Sequence, residues 1–209
     1  MTLERLIRLS GLINVGAAVL IIVSQLIGIF AIDADNVLGT VKSAPATLFN
    51  MLKLFAFVLL LLGLVGLYAR QSVEAGTLGL IGFLVAFLGT TLVAGDWWYE
   101  GLVVPWLADV APQVVEGGAA GSVLAGGITG FSLFALGWVL FGIASFRARV
   151  FPRWAAIVVI VRGVLGFQAG FPPFQIVLGL GIGWMGYWLY TRGGVPKVAT
   201  EEARHTQPS

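Results

Sequence analysis

Of the chain's 209 residues, 58% are hydrophobic and 11% charged, the formal net charge is +2, and there are no cysteines and one histidine. A soluble domain carries roughly 25% charged residues, so this composition excludes a water-soluble fold and selects an integral membrane protein, with a mean hydropathy of +0.97. Without cysteine there are no disulfides, thiolate metal ligands, iron–sulfur clusters or cysteine nucleophile, and His205, in a polar tail, gives the membrane interior no haem ligand, zinc ligand or histidine base.

Lipid admits only helices or closed barrels across its core, and apolar runs without strict alternation argue against a barrel. The expected fold is therefore all-α, a polytopic six-transmembrane-helix bundle. The first span runs from Leu6 to Ile32 behind Arg5 and Arg8; it is too long for a signal-peptide core of roughly 7–15 residues and is read as retained. The second runs from Thr47 to Ala69 and the third from Gly76 to Gly95. The fourth covers Ser122 to Phe146, the fifth Trp154 to Gly170 and the sixth Pro173 to Thr191. Most are close to the roughly 20 residues that a bilayer crossing needs. Residues 1–194 form one transmembrane domain, and residues 195–209, polar and proline-containing, form a disordered cytoplasmic tail.

The third, outer loop begins GDWWYEG at Gly95. Trp97, Trp98, Tyr99 and Trp106 mark the aromatic belt of a membrane interface. From Pro105, a residue suited to a first helical turn, Trp106, Leu107, Val110 and Val114 fall on one face and Asp109, Gln113 and Glu116 on another. This predicts a short amphipathic interfacial helix, which Pro112 shortens or kinks. FPPF, Phe171 to Phe174, forms the outer turn before the last span.

Orientation follows from the basic residues, because short cytoplasmic loops retain Lys and Arg. With the amino terminus inside, nine of the 12 basic residues are cytoplasmic: Arg5, Arg8, Arg70, Arg147, Arg149, Arg153, Arg192, Lys197 and Arg204. Lys42 alone lies outside, and Lys53 and Arg162 fall within spans. Both termini are thus expected in the cytoplasm of a plasma membrane, with loops short enough for a bacterial inner membrane. The partners are the lipid bilayer and, through glycine-rich helix faces, a protein partner or a second copy. Gly126 with Gly130, Gly166 with Gly170 and Gly179 with Gly183 are small-xxx-small pairs that let helix backbones approach in lipid. Basic residues scattered among helix ends exclude nucleic acid.

The chemistry-bearing residues are few. Arg162 sits in VVIVRGVLGF roughly 12 Å into a hydrocarbon core about 30 Å thick. A charge there needs partners or water. Asn14, matched to it in depth, and Gln25 and Gln168 are its expected neighbours in an intramembrane polar site, with the guanidinium leaning toward its helix's amino end. A small anion or lipid headgroup could supply the counter-charge there; a structural clamp between helices is the competing role. Lys53, about 9 Å from the outer end of the second span, is expected to snorkel to the outer interface and pair with Asp96.

No catalytic motif, cofactor signature or metal-ligand spacing is present. The leading reading is a non-catalytic multi-pass protein of the plasma membrane with an accessory, sensory or scaffold role. Two others stand beside it: an anion or small-solute transporter or channel component built around Arg162, and a membrane lipid-modifying enzyme using Asp96 and Glu100 as acid or base.

Overall fold

The structure, a computed structural model, describes residues 3–33, 35–165 and 172–193. It is all-helical over these residues. Eight α-helices follow one another: α1 (Leu3–Ala31), α2 (Val37–Val41), α3 (Ala44–Trp98), α4 (Val104–Val110), α5 (Pro112–Glu116), α6 (Gly121–Ala148), α7 (Arg153–Val164) and α8 (Gln175–Arg192), with a π-helical turn, Tyr99–Val103, joining α3 to α4. Three helical segments, Glu4–Phe30, Ala44–Val110 and Gly121–Ala148, are long and apolar enough to cross a membrane.

The ends of these helices follow local chemistry. Asn36 caps α2, its side chain accepting from the Gly39 N–H at 3.0 Å. Ser43 caps α3 by accepting from the Ala46 N–H at 3.2 Å, with Pro45 in the first turn, where its missing N–H costs nothing. α6 closes on Arg149 in the left-handed region, φ 56°.

α3 replaces the inner turn expected between Ala69 and Gly76. Helical hydrogen bonding runs through Arg70–Ala75, and the chain reverses at Gly76, φ 56° and ψ −150°, a conformation that L side chains avoid and glycine adopts freely. The reversal is visible in the contacts. Tyr68 and Phe83 stack at 4.5 Å and Phe49 meets Trp97 at 5.8 Å, whereas 48 residues of straight helix would span about 72 Å. α3 is thus two antiparallel arms, Ala44–Ala75 and the arm from Gly76.

The second arm also overruns its expected end at Gly95, continuing through the π turn into α4. The chain breaks at Ala111 (φ −149°, ψ 62°), just before Pro112, and resumes as α5. On α4, Val104 and Ala108 are buried against the protein while Trp106 and Val110 are exposed. The fifth expected span is described as far as α7 and Leu165; its remaining residues to Gly170, and the tail from Val195, lie outside the described residues.

The long helices close a ring: α1 packs on α3 and α8, α3 on α6, α6 on α7, and α7 on α8. Its centre holds Phe57, Leu60, Phe134, Trp138 and Phe141, all fully buried. Trp138 satisfies its indole by donating to Thr90 Oγ1 at 3.1 Å, and Thr90 donates in turn to the Ala86 carbonyl at 2.6 Å, so the polar atoms in this layer cost little.

Backbones meet most closely between α3 and α6. A Cβ on Gly137 would collide with the backbone of Ala86, and one on Gly89 with the backbone of Phe134. Of the glycines expected to act in pairs, Gly179 and Gly183 pack on Ile22 and Ala18 of α1, and Gly130 meets Leu92. Gly126 touches nothing, because residues 121–126 of α6 project beyond the ring and are exposed on every face. Gly166 and Gly170 lie outside the described residues.

Outward, Leu9, Leu12, Val19, Val23, Leu26 and Phe30 of α1 are each 40–89% exposed, as are comparable residues on α3, α6 and α8. So much contiguous apolar surface marks a membrane-associated protein.

Candidate carboxylate-lined pocket and buried cation cluster

Arg162 is fully buried on α7. Gly163 beside it packs on Ala135 and Val139 of α6, and the Arg162 guanidinium carbon stands 4.6 Å over the ring of Phe134. Phe134 is further toward the start of α6, so the guanidinium reaches toward the carboxyl end of α7, opposite to the lean expected from backbone geometry alone. The π face of Phe134 favours this direction, since a cation–π contact is worth about 2 kcal/mol once water is excluded.

Asn14 does not serve as the expected acceptor. Its Nδ2 donates to the Ser10 carbonyl at 2.9 Å, its side chain lies in the gap left by Gly63 of α3 and Gly186 of α8, and its Oδ1 accepts no hydrogen bond among the described residues. It is a packing residue between three helices. Gln25 is fully buried with neither amide atom partnered among the described residues, and the same holds for Gln175. Gly186 opposite Asn14 and Gly179 opposite Ile22 fix the α1–α8 register, and continuing it by one turn brings Gln175 opposite Gln25. Nothing in the sequence reading pointed to Gln175, which follows immediately on the double-proline turn. Gln168 lies outside the described residues.

Lys53 departs from the expected snorkel. Its side chain is fully buried, with the ammonium 3.8 Å from the Trp97 ring centroid and 4.3 Å from that of Phe49. The second arm of α3 covers it and supplies the indole, and two π faces help to solvate the charge. Phe57, one turn along α3, stacks on Phe134 at 5.3 Å. Lys53 and Arg162 thus share one aromatic column and interact electrostatically, and Lys53 also interacts with Asp96.

Asp96 lies above this column and, with Glu100, lines an open cavity of about 400 Å³. Phe49, Trp97 and Phe131 form its aromatic side and Val123, Leu124 and Ile128 its apolar wall on α6. A second cavity of about 270 Å³ adjoins it through Asp96, Val123, Gly127 and Phe131, and runs along Gly126 and Gly130. Neither cavity is lined by Arg162, Asn14 or Gln25.

The π turn positions Glu100 here. Asp96 and Glu100 are four residues apart on one continuous helix, where like charges repel, and both are half-buried. The wider π turn is held by Asn50, whose Nδ2 donates to the Glu100 carbonyl at 3.3 Å, and by Met51 packed into the space left by Gly101. Such turns recur at functional sites. The two carboxylates make no ion pair or side-chain hydrogen bond among the described residues, whereas the nearby Asp109 pairs with Lys42 at 2.7 Å. Trp97 is 7% exposed and its indole N–H has no acceptor among the described residues. The arrangement offers two anions, one unused donor and an apolar trough. The chain matches no known protein family, no curated protein and no solved structure.

Proposed function

We propose that this chain is a non-catalytic six-span protein of the plasma membrane, with both termini in the cytoplasm and an accessory or sensory role exercised through the outer pocket. The six crossings are α1, the two arms of α3, α6, the segment containing α7, and α8. The nine-to-one bias of basic residues supports the orientation, and places Asp96, Glu100 and the Trp-rich turn at the outer face. α4, with Trp106 and Val110 exposed, lies along the outer interface.

The observation that carries the functional reading is a contrast. Arg162 and Lys53 are buried against aromatic rings, and Arg162 lines neither of the two cavities, whereas the outer pocket is open and lined by carboxylates. The buried cations therefore tie helices together, and ligands meet the protein at the pocket. An ion path through Arg162 would need water-filled space around it.

Reconstitution tests this reading. Vesicles containing the protein take up chloride or phosphate no faster than protein-free vesicles, and protein extracted in mild detergent retains a small molecule, detected by native mass spectrometry, that is lost when Val123→Trp fills the pocket. Anion uptake abolished by Arg162→Gln in folded protein would overturn it in favour of a transport site.

A further inference from the structure

The chemistry of the outer pocket specifies its occupant, and the argument rests on the orientation and pocket reading given above. Asp96 and Glu100 confront each other across one helical turn, both half-buried at the open pocket, where partial desolvation and mutual repulsion both disfavour two bare charges. Lys53 relieves this only in part. Its ammonium sits on the rings of Trp97 and Phe49 and interacts with Asp96, and no cation reaches Glu100 among the described residues. A cationic group in the pocket would relieve both carboxylates.

Two further features narrow the choice. Trp97 is one of the residues lining the pocket, and its buried N–H has no acceptor among the described residues; leaving such a donor unpaired costs about 1–3 kcal/mol. The adjoining cavity continues along Gly126, Gly127 and Gly130, where Gly126 and Gly127 have nothing within reach of a Cβ. This gives an open trough that begins on the part of α6 standing free of the ring, the surface that faces lipid in the proposed topology, and ends at Gly130 against Leu92.

We propose that the outer pocket binds an outer-leaflet lipid with a zwitterionic, amine-bearing headgroup. The ammonium lies between Asp96 and Glu100, a phosphate oxygen accepts from the Trp97 indole, and one acyl chain runs along the glycine trough of α6. Cation, acceptor and chain are three requirements that one such molecule meets together. A soluble amine meets only the first. An anionic lipid meets the last two and is repelled by the carboxylates.

Native mass spectrometry of delipidated protein with added phosphatidylethanolamine or phosphatidylglycerol at equal concentration is the test. Wild type binds phosphatidylethanolamine in preference. Glu100→Gln weakens that binding about tenfold, as expected for loss of one charge-assisted contact, and Glu100→Lys shifts the preference to phosphatidylglycerol. Millimolar ethanolamine without a lipid chain does not compete; effective competition would overturn the lipid in favour of a soluble amine. If phosphatidylethanolamine binding is unchanged in Glu100→Gln and Glu100→Lys but lost in Val123→Trp, the headgroup assignment is overturned and the pocket reading survives. Binding equally indifferent to Val123→Trp overturns both.

Discussion

Gly137→Leu prevents accumulation of folded protein, whereas Gly126→Leu, eleven residues away on the same helix, leaves the fold intact. The side chain at position 137 would enter the backbone of Ala86 on the second arm of α3. Neither helix can yield there, because Gly89 and Phe134 make a second backbone contact along the same interface. Overpacking a well-filled core typically costs 1–3 kcal/mol, and a collision with main chain, which has no rotamer to change, belongs at or above the top of that range. Such a loss consumes much of a typical folding stability. Position 126 has nothing within reach of a Cβ, so a leucine there projects from the free end of α6. Size-exclusion profiles of the two variants in detergent give the comparison: a monodisperse peak for Gly126→Leu and aggregated or absent protein for Gly137→Leu. Equal behaviour would mean that α3 and α6 do not pack through this face.

Arg162→Ala is the second large effect, with a loss of about 3 kcal/mol and a fall of about 10 °C in the unfolding midpoint. It removes one of the largest fully buried side chains in the protein together with the contact over Phe134. The informative comparison is Arg162→Lys. Lysine keeps the charge but not the planar guanidinium that lies on the ring, and the exchange is not conservative at a stacked site. It also sets a more strongly hydrated ammonium near that of Lys53, so Arg162→Lys loses most of what Arg162→Ala loses. Thermal unfolding followed by tryptophan fluorescence measures both. Stability restored by lysine would show that charge alone matters at position 162, as in an anion site, and not the fit of guanidinium against ring.

The sequence conveyed the general character of the fold through quantities that lipid makes decisive. Runs such as Leu6 to Ile32 and Ser122 to Phe146 matched α1 and α6 to within three residues at either end, because a bilayer sets helix length by apolarity alone. The turn between the two arms of α3 differs from the expected one for a local reason. Gln71, Ser72, Val73, Glu74 and Ala75 all tolerate helix, and only Gly76 can take the backbone angles that reverse the chain. The carboxyl end of α3 passes Gly95 because Asp96 and Glu100, charged residues typical of a loop, are half-buried at the pocket, a feature not visible in one dimension.

Site residues divide in the same way. Burial of Arg162 followed from its depth in an apolar run. Its neighbours did not: Phe134, whose ring it stands over, lies 28 positions away, while of the expected partners Asn14 bonds within its own helix and Gln168 lies outside the described residues. Lys53 was read from its own helix, where the interface was within reach; its burial depends on Trp97, 44 residues on, folding back across it. Gly126 carries the small-xxx-small signal with Gly130 and Gly137 does not, yet it is Gly137 that meets α3; only the position of α3 decides between them. Placing Gln25 and Gln175 at one level needs the α1–α8 register, which no short-range pattern encodes.

The account rests on where the outer pocket lies relative to the bilayer. The chain has no native cysteine, so single cysteines at Glu116, in exposed α5, and at Arg149, at the exposed end of α6, report sidedness without background. With a membrane-impermeant maleimide added to intact cells, the cysteine at position 116 is labelled and that at 149 is labelled only after permeabilisation. Labelling of position 149 in intact cells, or protection of position 116 until they are broken open, would contradict the orientation and with it an outer-leaflet ligand.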